Sequence, residues 1–405
     1  MPDIEPARLW SDLMVMGAIG GTPNGGSFRP ALSDADRQGR ALFIHWAQEA
    51  GLSVSVDQIG NIFARREGTQ PDAAPVMVGS HLDTQMPGGK FDGVLGVLAG
   101  LELCRALDRD KVETRHPIEV VNWTNEEGAR FQPGVMGSGC FCGTLALDQV
   151  LERRDSDDIR LADALRGMAG PALVGGRVPH CYLELHIEQG PELERAAIDI
   201  AMVSRTSNMA SGYITIRGAN AHSQTEPMSR RRNALSGAAR LILAIDAIGA
   251  AMEPEGMVSA SCIDNWPNNR VNIPHLTQLS YAIVHNTAEG RAQIMAQIND
   301  AVAQVSAQTG LDIDVEHRHF REAFDFSPDL RALGVDLAQK RGLTATQLPT
   351  LTAHDALALH GICPTALIFV PCRDGVSHSE AEWCTPAHAA QGAQLLLDLA
   401  LSQAG

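Results

Sequence analysis

Residues 76–100 set the tightest limit on what this chain can fold into. They read Val-Met-Val-Gly-Ser-His-Leu-Asp-Thr and then, after Gln85-Met86-Pro87, Gly-Gly-Lys-Phe-Asp-Gly-Val-Leu-Gly-Val-Leu-Ala-Gly. The apolar run at residues 75–79 predicts a short buried strand. It ends in a turn carrying His81 and Asp83, two residues apart and able to share one side of an extended backbone. Gly88 and Gly89 then bend the chain, and Asp92 arrives just before a helical pattern at residues 94–107. His81 and Asp92 can therefore converge above one strand end. Asp83 is placed to hydrogen-bond the far ring nitrogen of His81, a carboxylate–histidine–metal arrangement. The plainer alternative is a core histidine beside two solvated acids.

A chain of 405 residues exceeds what one hydrophobic core usually serves, so two domains are expected. The net charge of −16 argues against nucleic acid or an anionic membrane as a partner, because both need a basic face. No apolar run is expected to approach the ~20 residues of a membrane span, and the first residues lack a signal-peptide pattern. The eight cysteines form no Cys-x-x-Cys pair, which suits reduced, mostly buried thiols. A cytoplasmic protein acting on a small molecule is the expectation.

The order of elements predicts one domain interrupted by another. Helical spacing covers residues 5–17 and 34–50, with Ser33 as N-cap of the second. Strands are predicted at 52–57, 61–66, 75–79, 118–123, 181–187 and 366–370, alternating with helices as in a mostly parallel sheet covered on both faces. Between them the rhythm changes: strand 213–217, helix 234–251, strands 256–263 and 278–284, helix 289–308, strand 312–319. That βαββαβ order is ferredoxin-like. The predicted fold is α/β, a mixed, mostly parallel catalytic sheet (residues 1–208 and 326–405) with an inserted ferredoxin-like lid and dimerisation domain (209–325).

Four apolar strands end in acids and histidines: His81 and Asp92; Glu126 and Glu127; His186 and Glu188; His378 after residues 366–371. Open α/β sheets place ligands outside the carboxyl ends of their strands. Three histidines, one shared aspartate and one glutamate suffice for two metals about 3.5–4 Å apart. The mixed nitrogen and oxygen set suits zinc, and manganese, cobalt or nickel are compatible. Of the adjacent pair, one carboxylate can neutralise a metal while the other moves protons. No Gly-rich phosphate loop is present, which favours amide or urea centres over phosphate.

Gly79-Ser-His-Leu-Asp-Thr84, Phe91-Asp-Gly-Val94, Asn125-Glu-Glu-Gly-Ala-Arg-Phe131 and Leu185-His-Ile-Glu-Gln-Gly-Pro191 resemble the hydantoinase/carbamoylase branch of the M20 metallopeptidase clan. The resemblance runs from Arg8 almost to the C-terminus. It implies a two-metal amidohydrolase with an inserted lid through which a homodimer forms. By motif, His81, Asp92 and His186 would hold one metal, and Asp92, Glu127 and His378 (in Val376-Ser-His-Ser-Glu380) the other. Glu126 would be the general base and Asp83 the orienter of His81. Gln189 resembles the residue that hydrogen-bonds the carbamoyl end of the substrate. His222 resembles a lid histidine that stabilises the oxyanion; an exposed turn histidine is the other reading. Asn272, in Arg270-Val-Asn-Ile-Pro274, resembles a substrate-touching lid asparagine, with one residue of the usual spacing missing.

Two departures bear on recognition. Val284 stands where the family usually has an Arg that grips the substrate carboxylate, and Leu351-Thr-Ala-His-Asp355 lacks the usual glycines. Arg270, Arg373 or His285 are the candidate substitutes, unless the substrate has no conventional α-carboxylate. The expected activity is hydrolysis of an N-carbamoyl-L-amino acid or related ureido acid. Allantoate- or ureidoglycolate-type compounds and other linear amides are the enzymatic alternative, and a non-catalytic family member is the alternative of another class.

Overall fold

The computed structural model describes residues 2–405. They divide into two compact units: residues 2–204 with Phe326–Leu348 and Ala353–Gly405, and Arg205–Asp325 with Pro349–Thr352. In chain order the first strands are β1 (Ser53–Val56), β2 (Ile62–Arg66), β3 (Val76–His81), β4 (Ile118–Trp123), β5 (Cys181–Ile187) and β6 (Ile200–Thr206). The inserted segment holds β7 (Asn208–Arg217), β8 (Ala221–His222), β9 (Gly256–Ser259), β10 (Ile263–Trp266), β11 (Asn272–Ile273), β12 (Leu276–His285) and β13 (Asp312–Arg321). The last two are β14 (Ala345–Thr350) and β15 (Thr365–Val370).

The larger sheet has the order β1-β2-β4-β3-β5-β15-β6-β14. Its centre, β4-β3-β5-β15, is parallel throughout, and antiparallel strands flank it. Every residue of these four central strands is buried, which is why they read as unbroken apolar runs rather than alternating ones. Helix Val94–Arg109 packs on β3 and against helix Pro386–Ala404, buried on nearly all sides. Helix Pro6–Ala18 is tied to it by Arg8, whose guanidinium donates to buried Glu102 at 2.7 and 3.0 Å. Ser33 caps helix Asp34–Glu49 as expected, accepting from the Asp36 amide at 3.2 Å. Strands β6 and β14 had no counterpart in the sequence pattern; β14 is polar, partly exposed and carries Pro349, so it lacks a strand's usual signature.

In the second unit, β10-β12-β7-β13 form an antiparallel sheet, with β9 also pairing β12. Strand β7 alternates between buried and half-exposed positions, as a sheet with one covered face requires. Helices Ala234–Met252 and Ala288–Thr309 supply the covered core with Ile214, Ile216, Leu241, Ile245, Ile294 and Ile298. The strand expected at 256–263 is two strands. Their ladders on β12 are interrupted where the Cys262 amide donates to Ser280 Oγ instead of continuing β9.

One helix bears on the expectation about membrane spans. Helix Ala234–Met252 has 19 residues and a mean hydropathy of 1.6, so by length and composition it could cross a membrane. Arg240 and Asp246 interrupt its apolar residues, so no unbroken run of that length is present. One stripe of it (Ala238, Leu241, Ile245) is buried on the sheet, while Leu235 and Leu243 are exposed.

Candidate metal centre

Because β4, β3, β5 and β15 are parallel, their carboxyl ends emerge at one edge of the sheet, where such sheets bind ligands. His81 closes β3, Glu126 and Glu127 follow β4, and His186 lies one residue before the end of β5. His378 follows β15, and Asp92 is brought in by the loop before helix Val94–Arg109. Gly93 permits that entry. Its φ of 67° is left-handed, and a Cβ there would overlap the His81 ring.

Asp92 is the meeting point. Its Oδ1 lies 3.1 Å from His186 Nε2 and 3.4 Å from His81 Nε2, and its Oδ2 lies 3.4 Å from His378 Nε2. His378 Nε2 is also 3.1 Å from Glu127 Oε2, and His81 Nε2 is 3.4 Å from Glu126 Oε2. Donor atoms around a tetrahedral ion with bonds near 2.0–2.1 Å stand about 3.3–3.4 Å apart. The spacing is that of a coordination shell. His81 Nδ1 and His186 Nδ1 each face a backbone carbonyl, of Asp83 and Ile187, at 2.9 Å. A carbonyl only accepts, so both Nδ1 atoms carry the proton and both Nε2 lone pairs serve the site. Two sets of donors result, His81–Asp92–His186 and Asp92–Glu127–His378, each with its ligand atoms within 4.8 Å of one another. Asp92 belongs to both.

The charges point the same way. Among the described residues, Asp92, Glu126 and Glu127 form ion pairs only with imidazoles, never with Lys or Arg. Burial works against a charged Asp92, yet the three histidines hold its carboxyl well below the usual range. Burial, reinforced by Asp355 and Glu127, pushes Glu126 well above the ordinary carboxylate range despite His81. His378 is pushed up to about 11: burial opposes this, and Asp92 and Glu127 outweigh it. A buried acidic cluster with no fixed cation fits divalent ions.

Asp83 does not play the part expected of it. Its Oδ1 is 3.9 Å from His81 Nδ1, too far for a hydrogen bond, and its own backbone carbonyl takes that place. The carboxylate instead accepts from the amides of Glu126 and Glu127, each at 3.3 Å. It positions the acid pair rather than the histidine. Glu188 also turns away, accepting from the amides of Glu192 and Leu193 at 2.9 Å.

Gln189 is brought into the centre. Its Nε2 donates to Asp92 Oδ2 at 2.7 Å, and its buried Oε1 has no partner among the described residues. Sequence reasoning missed three contributors. Gln85 donates to Glu127 Oε2 at 2.9 Å, Ser377 Oγ lies 2.8 Å from Asp92 Oδ2, and Glu382 accepts from the Asp92 amide at 3.1 Å. Gln85 and Ser377 adjoin quoted motifs and could have been found there; Glu382 carries no local signal.

The remaining candidates, Arg373 apart, belong to the second unit. His222 and Asn272 are cross-strand partners of β8 and β11. His222 Nδ1 accepts from the Gln224 amide at 3.1 Å, which leaves the proton of a neutral ring on Nε2. Arg270 is exposed in the adjoining loop. His285 is no substitute for a missing arginine: it is buried, its ring fills the space beside Gly256 and Gly290, and its Nδ1 accepts from the Thr287 amide. Val284 lies on the open side of the sheet, opposite Met209 on β7 and Met257 on β9. Arg373, in the first unit, extends over the Trp383 ring and donates to the Ala381 carbonyl.

Residues 77–402 match peptidase family M20/M25/M40. The chain belongs to this family. It is 38% identical to an N-carbamoyl-L-amino-acid amidohydrolase of Rhizobium meliloti over 99% of this chain and 97% of the relative. It is 36% identical to the N-carbamoyl-L-amino acid amidohydrolase of Geobacillus stearothermophilus, over 97% of each. The crystal structure of an amidase of the hydantoinase/carbamoylase family from Burkholderia vietnamiensis superimposes with a TM-score of 0.95 at 41% identity, covering 99% of this chain and 98% of that one. Within M20 the chain is thus a hydrolase of the hydantoinase/carbamoylase amidase branch.

The contacts of Asp83 in this M20 centre generate a test. Asp83→Asn keeps one accepting oxygen and sets an NH2 against the other amide, so the Glu126–Glu127 turn should shift. Metal titration should show binding weakened about 10–100-fold at the step that uses Glu127, with the His81–Asp92–His186 step little changed. Weakening confined to the His81 step would restore the orienting role.

Proposed function

We propose that this M20 hydrolase is a two-metal amidohydrolase that cleaves the carbamoyl C–N bond of an N-carbamoyl-L-amino acid or related ureido acid. The observation that carries the reading is Asp92 shared between two donor sets, with Glu126 beside them and outside both. The named carbamoyl-amino-acid hydrolases among the relatives supply the substrate class. Two divalent ions (zinc, or manganese, cobalt or nickel) held by His81, Asp92 and His186 and by Asp92, Glu127 and His378 would supply Lewis acidity and a water that deprotonates near neutral pH. Glu126 takes the proton of the attacking water and returns it to the leaving nitrogen. Asp83 keeps Glu126 and Glu127 in place through their amides. Gln189 Oε1, lacking a partner, accepts from the carbamoyl NH2. By motif, His222 would be the residue that stabilises the carbonyl oxygen as it gains negative charge, and Asn272 one that touches the substrate.

Glu126→Gln should retain both metals and lose about 10²–10⁴-fold in turnover, since the amide keeps the shape but cannot shuttle protons. Chelation should abolish activity in the wild type, and added divalent metal should restore it. Near-normal turnover in the variant moves the base elsewhere; metal loss makes Glu126 a ligand. The complete donor sets count against a non-catalytic role.

The apolar row Met209–Val284–Met257 favours a second reading, in which the substrate is an allantoate-like ureide or other linear amide without a conventional α-carboxylate. Valine offers no bidentate fork to a carboxylate. Val284→Arg should therefore improve kcat/KM on N-carbamoyl-L-amino acids. If wild type already turns these over efficiently and the substitution lowers that rate, this second reading fails.

The second unit is read as a lid that also joins two copies into a homodimer of cytoplasmic location. Its exposed Leu235 and Leu243, on one helix, are apolar surface suited to a two-fold contact. Sedimentation should give twice the chain mass; a monomer across micromolar concentrations would reject it.

A further inference from the structure

The loop carrying His378 also carries a carboxylate that belongs to neither donor set. Glu382 is 3% exposed. Its Oε1 accepts from the backbone amides of Phe91 at 2.9 Å and Asp92 at 3.1 Å. Its Oε2 lies 3.1 Å from Ser377 Oγ, which is itself 2.8 Å from Asp92 Oδ2 and can give its one proton to either acid. One side chain thus fixes the backbone of Asp92 and shares with the carboxylate of Asp92 a single neighbouring hydroxyl, that of Ser377.

The same loop is held from the other side. His378 has a φ of 52°, a conformation that a residue with a Cβ adopts only where its surroundings impose it. Those surroundings include the Arg373 amide donating to the Trp383 carbonyl at 2.8 Å and the Glu382 amide donating to the Ser379 carbonyl at 3.1 Å. Trp383 meets Phe91 edge-on with ring centroids 5.6 Å apart, directly beside the Glu382 contact. Gly89 makes room for the carboxylate, because a Cβ there would fall on it. Glycine at 89 and glutamate at 382 form one fitted contact between two ligand-bearing loops.

We propose that Glu382 is a positioning residue that holds Asp92 and His378 in mutual register and so sets how tightly this chain binds its metals. The inference rests on the metal-dependent reading above. Asp92 serves both donor sets, so loosening its backbone weakens both, and the set containing half-exposed His378 most.

Glu382→Ala and Glu382→Gln separate positioning from charge. Gln retains an oxygen that accepts from both amides; Ala leaves those amides buried without a partner. Manganese and zinc affinity of the purified chain, measured by competition with a chromogenic chelator, should fall about 10–100-fold in Glu382→Ala and stay near wild type in Glu382→Gln. Ser377→Ala, which removes the hydroxyl shared by Asp92, Glu382 and Gln189 but leaves the Glu382 contacts to the Phe91 and Asp92 amides, should fall between them without altering unfolding of the metal-free protein. A folded Glu382→Ala with wild-type affinity overturns the proposal, as does an equal loss in the Gln variant. If Glu382→Ala does not fold, Gly89→Ala, whose methyl would fall on the Glu382 carboxylate, takes its place: wild-type affinity there overturns the proposal and weakened affinity supports it. A wild-type chain that binds neither metal would instead reject the metal-dependent reading itself.

Discussion

A carboxylate that is 4% exposed, with imidazole nitrogens on both of its oxygens, is the interaction on which the rest of this structure depends. Burying an unpaired charge costs several kcal/mol even after relaxation. Asp92 is tolerable only where its counter-charges converge, and they converge because four parallel strands end at the same edge. The fold and the charge are thus one problem. The sheet that delivers His81, His186 and the loops bearing Glu127 and His378 is also what makes a buried aspartate affordable. Any rearrangement of strand order would separate the partners.

The other buried acids around Asp92 divide into two kinds by the company they keep. Asp83, Glu188, Glu184 and Glu382 each accept from backbone amides: of Glu126 and Glu127, of Glu192 and Leu193, of Ala356, and of Phe91 and Asp92. A carboxylate so engaged has its lone pairs directed at the chain and holds a loop or helix start in place. Asp92, Glu126 and Glu127 have histidine, glutamine or serine as side-chain neighbours and are free to serve an ion or a proton. The first kind secures the loops; the second is available to an ion or a proton. Either kind alone would fail, since ligands on unsecured loops would not hold a spacing of 3.1–3.4 Å.

What could be read from the sequence follows from the same division. The central strands were visible because two-sided burial leaves unbroken apolar runs, and the donors were visible because they sit at the ends of those runs. The role of Asp83 was not visible. Whether a histidine meets a carboxylate or the carbonyl of the same residue depends on one backbone rotation, and the residue types are identical either way. Glu382 lies 290 residues from the amide it binds, and no local pattern announces such a contact. In the second unit, β9 and β10 read as one strand because the interruption at residues 260–262 is made by a hydrogen bond to Ser280, not by glycine or proline.

The metal-donor cluster and the departure at Val284 occupy different kinds of structure in this chain. The donors lie where burial, hydrogen bonding and charge all constrain each position; replacing any of them leaves a buried polar group without its partner, which costs about 1–3 kcal/mol or more. Val284 lies on the open side of an antiparallel sheet, in a row with Met209 and Met257, while the covered side holds the core. Substitutions on such a face usually change stability by about 0.5 kcal/mol or less. A chain can therefore exchange a cation for an aliphatic side chain there without disturbing β12, whose alternate residues Leu279, Tyr281 and Ile283 remain in the core. A complete donor set in one unit and a changed residue on an open sheet face in the other are what such unequal constraints produce.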